Sequence, residues 1–189
     1  SKPFFVYPLQ YHPESSCAVD GAYFNDDLNN VLNAAMNLPP GHLLYVKDHP
    51  YAFAQASMSL YRRIRRIPNV RLIDWTIDSK HLIRHAKAVV TSTSSFGFEA
   101  ILLGKPVYVL GHPFYDFHPL VRRLHSWDDA FELFRDYAAI RARPEEIRAA
   151  VSATEQARAA RDEARAAEDL ARTQVQRIQS LYAQGAVSK

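Results

Sequence analysis

With Cys17 as its single cysteine, this 189-residue chain can close no internal disulfide, which fits a reducing compartment and points to a cytoplasmic protein. Long apolar runs are lacking as well. None approaches the roughly 20 residues that span a bilayer, and the opening Ser-Lys-Pro-Phe-Phe-Val turns polar too soon for a signal peptide. The chain has no initiator Met and enters a strand-like segment at once, so we expect a domain cut from something longer. Glycine is scarce, at 6 residues, and no GxGxxG fingerprint, Walker lysine loop or Gly-x-Ser-x-Gly elbow is present. That disfavours dehydrogenases, P-loop NTPases and the common hydrolases. The charge excess is only +3, which argues against a nucleic-acid binder, and the cluster Arg62, Arg63, Arg65, Arg66 reads as a solvated helix face. The histidines are scattered, and His81 and His85, although four apart, lack the Glu of a zincin helix, so no metal site is expected.

What is present is a globular composition, 48% hydrophobic and 12% aromatic. Short apolar, β-branched or aromatic runs recur at Phe4 to Tyr7, Leu43 to Val46, Val70 to Ile73, Ala88 to Val90 and Val107 to Leu110. Helical spacing lies between them: Phe24, Leu28, Val31, Leu32 and Ala35; Met58, Tyr61, Ile64 and Arg65; Leu82, Ile83 and Ala86. Alternating strands and helices predict an α/β, Rossmann-like parallel sheet with helices on both faces. In such a sheet the ligand sits at the carboxyl ends of the strands. The segments that follow the runs are polar or aromatic: Pro8 to Glu14, Lys47-Asp-His-Pro50, Asp74-Trp75, the Thr/Ser run at 91–95, and Gly111 to Tyr115.

Residues 1–143 form the predicted Rossmann-like body. From Pro144 to residue 189 the chain is rich in Ala, Arg and Glu, and Pro144-Glu145-Glu146 is a good helix start. Ala160, Ala164, Ala167, Ala171, Val175, Ile178 and Tyr182 step in an eleven-residue rhythm that keeps a helix nearly straight. Two uses stay open: a helix that lies across the domain or protrudes, or one that self-associates with another helix or chain.

Candidate chemistry concentrates in the fourth loop. Val89 and Val90 deliver the backbone to Thr91, Ser92, Thr93, Ser94 and Ser95, and a helix starting at about Ser95 would aim its N–H groups and positive dipole end at an anion such as phosphate. Glu99, four residues beyond Ser95, can accept hydrogen bonds from the vicinal hydroxyls of a ribose; a Glu in a first helical turn also complements the dipole without any ligand. His49, held off helical dihedrals by Pro50, can donate to a phosphate oxygen or act as an acid, or simply pack in its loop. Gly97 permits close approach in the first turn, and Gly104 before Lys105-Pro106 reads as a left-handed helix stop.

These blocks resemble bacterial capsule polysaccharide biosynthesis proteins, among them Kdo transferases of capsule and related surface glycans. The resemblance runs from residue 3 to about 125 through Tyr7 to Glu14, Leu38 to Pro50, Pro68 to Ile73, Thr91 to Val107 and Gly111 to Tyr115. It implies the C-terminal, donor-binding half of a GT-B glycosyltransferase that uses a CMP-activated sugar, with CMP-Kdo as donor and no other cofactor. By position it implies that His49, in a catalytic role, and Ser94 and Ser95 meet the CMP phosphate and that Glu99 meets the cytidine ribose. Lys47, Pro50 and Gly97 fall in the same implied binding set. A glycan or glycolipid acceptor would be held by an N-terminal half that this chain does not include, and any contact with the inner membrane would be peripheral. The alternatives are a CDP-alditol phosphotransferase of teichoic-acid type and a non-catalytic scaffold with an assembly helix.

Overall fold

A computed structural model describes residues 2–10, 24, 26–48, 57–140 and 144–183. The described residues form a parallel sheet of six strands, β1 (Phe4–Pro8), β2 (Leu43–Lys47), β3 (Val70–Ile73), β4 (Ala88–Thr91), β5 (Val107–Val109) and β6 (Val121–Arg123), in the spatial order β3-β2-β1-β4-β5-β6. The register pairs Phe4 with Leu43 on one side of β1 and Phe5 with Ala88 on the other. The order reverses between β1 and β4. At such a reversal the two neighbouring strands lead to helices on opposite faces of the sheet, which opens a crevice at their carboxyl ends.

Strand residues alternate between two cores because successive Cβ atoms point to opposite faces. Phe5, Tyr7, Leu44, Val46, Val90 and Tyr108 pack on one face against α1 (Asp27–Asn37), Ile64 of α2 (Met58–Arg65) and Phe134 of α5 (Ala130–Arg135). Val6, Val89, Val107 and Val109 pack on the other against α3 (Ser79–His85) and α4 (Ser95–Leu102). Burial on both faces is why these runs read as continuously apolar, each large side chain contributing roughly 1.5–3 kcal/mol. The expected Rossmann-like fold is therefore the fold observed.

Three details differ from the sequence reading. Helix α1 starts at Asp27, not near Phe24, because the Asp26 carboxylate caps it, accepting from the N–H groups of Leu28 and Asn29. Strand β6 and helix α5 were not foreseen. β6 is a three-residue edge strand in which only Val121 is buried, so it carries too little apolar pattern to stand out. In α5 only Ala130 and Phe134 are buried.

Local signals set the ends of α4. Ser94 is its N-cap, and Gly104, at φ 68°, ends it in a Schellman arrangement in which Lys105 N–H donates to the Ala100 carbonyl and Gly104 N–H to that of Ile101. A Cβ at Gly104 would meet nothing within 4 Å, so the cost of Gly104→Ala is backbone strain alone. We expect a loss of about 1 kcal/mol in urea unfolding; an unchanged midpoint would contradict the assignment.

The chain divides into two compact units, Ser1–Val151 and Ser152–Lys189. Helix α6 runs Pro144–Ala183, and Ala160, Ala164, Ala167 and Ala171 are exposed along it. No helix among the described residues is long and apolar enough to cross a membrane.

Candidate functional site

The crevice at the β1/β4 switch point holds a cavity of about 160 Å³ lined by Pro8, Leu9, Lys47, Asp48, Ser79, Ser94, Ser95, Phe96 and Glu99. Four consecutive strand ends feed it: Pro8 and Leu9 stand at the end of β1, Lys47 and Asp48 at the end of β2, Ser79 opens the helix after β3, and Ser94, Ser95, Phe96 and Glu99 follow β4. The volume falls below the roughly 300–1,000 Å³ that encloses a whole small ligand, so this cavity can enclose only part of a nucleotide sugar.

The wall from β4 carries groups that can meet an anion. At Ser94 the backbone is extended, the side-chain oxygen accepts from Phe96 N–H at 3.2 Å, and the main-chain carbonyl accepts from Gly97 N–H at 3.1 Å. The first turn of an eight-residue helix therefore faces the cavity with its positive end, and the exposed Ser95 hydroxyl stands beside it. Just upstream, the hydroxyls of Thr91 and Ser92 are buried without a hydrogen-bond partner. Buried hydroxyls of this kind are ordinarily satisfied by protein, water or ligand.

Glu99 supplies the opposite charge. Its carboxylate lines the cavity, half-buried, and Oε2 is enclosed with no hydrogen-bond partner. Burial pushes its carboxyl above the ordinary value, with Asp78 adding to the effect and Lys80 opposing it. Across the cavity Lys47 is buried and donates from Nζ to the Trp75 carbonyl at 2.9 Å. Burial lowers its pKa, while Asp48, Asp74 and Asp78 hold it up. Asp48 is itself engaged, accepting from the Tyr61 hydroxyl at 2.8 Å.

Lys47, Ser94, Ser95 and Glu99, all expected from the sequence, thus share one cavity. Gly97 does not line it. It lies on the buried side of α4, against Tyr115, and shapes the turn from behind. His49 and Pro50 lie outside the described residues, although the two residues before them, Lys47 and Asp48, are in the cavity wall. Ser79 and Tyr115 were not singled out. Ser79 follows the capping Asp78, a local signal that could have placed it at a helix start. No spacing rule foresees that the Tyr115 hydroxyl reaches the Ser94 carbonyl. Among the described residues no group of three or more His, Cys, Asp or Glu side chains could hold a metal ion.

Comparison with known proteins agrees with this architecture. Residues 1–132 match the model of a family described as capsule polysaccharide biosynthesis protein. The chain is 33% identical over 125 residues to Protein FixF of Sinorhizobium fredii (strain NBRC 101917 / NGR234), covering 64% of this chain and 30% of that protein. It is 28% identical over 162 residues to the capsule polysaccharide export protein KpsS of Escherichia coli, covering 74% and 40% respectively. Among solved structures it is similar to Thermosulfurimonas dismutans KpsC, beta Kdo 2,4 transferase, at 25% identity and TM-score 0.56, covering 79% of this chain and 44% of that one. The chain spans well under half the length of the curated relatives it matches.

Proposed function

Because the chain belongs to the capsule polysaccharide biosynthesis protein family, we propose that it is the donor-binding half of a glycosyltransferase that moves a CMP-activated sugar, Kdo, onto a capsule or surface-polysaccharide acceptor. The observation that carries this reading is Glu99 Oε2, enclosed without a partner in the same cavity as the N-terminus of α4. A ligand that satisfies both must carry an anion and, a short distance away, hydrogen-bond donors. A nucleotide phosphate and its ribose diol meet that description. The similarity to a Kdo transferase supports the choice of sugar.

In this reading the first turn of α4, Ser94 and Ser95 hold the phosphate of CMP, Glu99 accepts from the ribose hydroxyls, and Lys47 balances the charge of the cavity. His49, which follows the cavity residues Lys47 and Asp48, donates to the same phosphate. Transfer makes CMP a leaving group whose phosphate gains negative charge as the bond to the sugar breaks. Fixed N–H groups, hydroxyls and an imidazole aimed at that charge lower the barrier without reorganising. The protein supplies these groups itself, so the reading requires no metal or other cofactor. A glycan or glycolipid acceptor is held by a second domain, and the enzyme works in the cytoplasm, at most peripheral to the inner membrane.

Calorimetric titration of the chain with CMP, CDP and UDP tests the assignment. CMP is expected to bind tightest, and His49→Ala to weaken it roughly tenfold, the worth of one charge-assisted hydrogen bond. Equal affinity for the three nucleotides, or no loss in the variant, would overturn it.

A further inference from the structure

Tyr115 lies beyond β5, outside the cavity, and is 0% exposed. Its hydroxyl donates to the main-chain carbonyl of Ser94. Its ring packs edge-on against Phe114, with centroids 5.1 Å apart, and lies near Phe98 at 6.4 Å. Gly97 leaves the room: a Cβ there would stand 2.3 Å from the Tyr115 oxygen and 2.8 Å from Cζ. The arrangement reaches the ligand side through one peptide unit. In a planar trans peptide the carbonyl of one residue and the N–H of the next point in opposite directions. Holding the Ser94 carbonyl toward Tyr115 therefore turns the Ser95 N–H the other way, toward the cavity that Ser94 and Ser95 line.

We propose that Tyr115 is a positioning residue for the anion-binding turn: by anchoring the Ser94 carbonyl it fixes the Ser95 N–H as a donor to the ligand's phosphate. This rests on the reading of the cavity as a nucleotide site. The Ser94 carbonyl also accepts from Gly97 N–H at 3.1 Å, so Tyr115 is the second donor on it and restricts the tilt that the helical bond alone leaves to this peptide.

The opposite core provides a matched control. Tyr108, likewise 0% exposed, donates to the Leu133 carbonyl at 2.6 Å, the same kind of bond on the face of the sheet away from α4. Tyr115→Phe and Tyr108→Phe should lower stability comparably. Only Tyr115→Phe should move the Ser95 and Phe96 amide resonances of the free chain, speed their hydrogen exchange and weaken CMP binding, by roughly three- to tenfold. Equal effects of the two variants on CMP affinity, or unmoved Ser95 and Phe96 amides in Tyr115→Phe, would overturn the assignment. If the unmodified chain binds no CMP, the donor reading fails, and the amide comparison alone still decides the role of Tyr115.

Discussion

Gly97→Ala should destabilise the body of the chain by about 2 kcal/mol, reversing the usual sign of the substitution in a helix, where alanine is favoured by roughly 1 kcal/mol. The reversal comes from space. The new Cβ would fall 2.3 Å from the Tyr115 hydroxyl oxygen and 2.8 and 2.9 Å from two of its ring carbons. The tip of an exposed tyrosine could swing aside at little cost, but Tyr115 is fully buried, bonded to the Ser94 carbonyl and flanked by Phe114 and Phe98. Relief requires the ring or the first turn of α4 to shift, and overpacking of this kind costs typically 1–3 kcal/mol, to which a lost hydrogen bond adds about 1. After subtracting the gain in propensity, a net loss of about 2 remains. For a unit of this size that corresponds to a melting temperature lower by about 4–8 °C. Because the displaced groups are those that aim Ser94 and Ser95, CMP affinity should fall with it, more than in Tyr115→Phe. Thermal melts and CMP titration of the same preparations check both halves. A variant as stable as the parent would mean that Tyr115 does not pack against Gly97 as described.

The parts of this architecture legible in the sequence are those governed by local chemistry. Five strands were placed within a residue at each end, because strands buried on both faces concentrate Val, Ile, Leu, Phe and Tyr into short runs between polar loops. The start of α4 and its stop at Gly104 were equally plain, since a capping hydroxyl and a left-handed glycine act on their own neighbours. Long-range contacts were not legible. Tyr7 donates to the buried Asp27 carboxylate at 2.8 Å, and that carboxylate also accepts from Gln10 N–H, tying the end of β1 to the first turn of α1. Nothing in either segment announces the other. The bond from Tyr115 to Ser94 is of the same kind, as is the seat of the Lys47 ammonium on the Trp75 carbonyl. Sequence patterns brought forward Lys47, Ser94, Ser95 and Glu99, which line the cavity, and missed both Ser79 in its wall and Tyr115 behind it. The resemblance to capsule biosynthesis proteins rests on the same ordered blocks and is matched by the family found over residues 1–132.

Glu99→Gln should do two opposite things, stabilising the free chain and weakening CMP binding by tenfold or more. The free chain encloses Glu99 Oε2 without a partner, and burial raises the carboxyl above its ordinary value of 4.5. The folded state therefore holds the proton more tightly than the unfolded one. Its penalty is absent below the ordinary value, grows as pH rises past 4.5, and is constant above the raised value. An amide carries no charge to desolvate, so the variant should gain on the order of 1 kcal/mol near neutral pH and match the parent in acid. Binding runs the other way. The ribose diol would donate to the ionised carboxylate, and each charge-assisted hydrogen bond is worth roughly 1.5–3 kcal/mol, so replacing the acceptor by an amide loses about tenfold or more. Since the ligand favours the ionised form, CMP affinity of the parent should rise with pH through the raised value, with proton release on binding; the variant should lose that component and keep only the one from the CMP phosphate, whose second proton leaves at about pH 6. Urea unfolding at pH 4 and pH 7, with CMP titrations over the same range, separates the two effects. Glu99 is the fifth residue of α4, beyond the first turn where a carboxylate complements the dipole; a variant less stable than the parent at pH 7 would show that the ionised carboxylate stabilises the free chain, whereas one more stable with undiminished CMP affinity would place the ribose elsewhere.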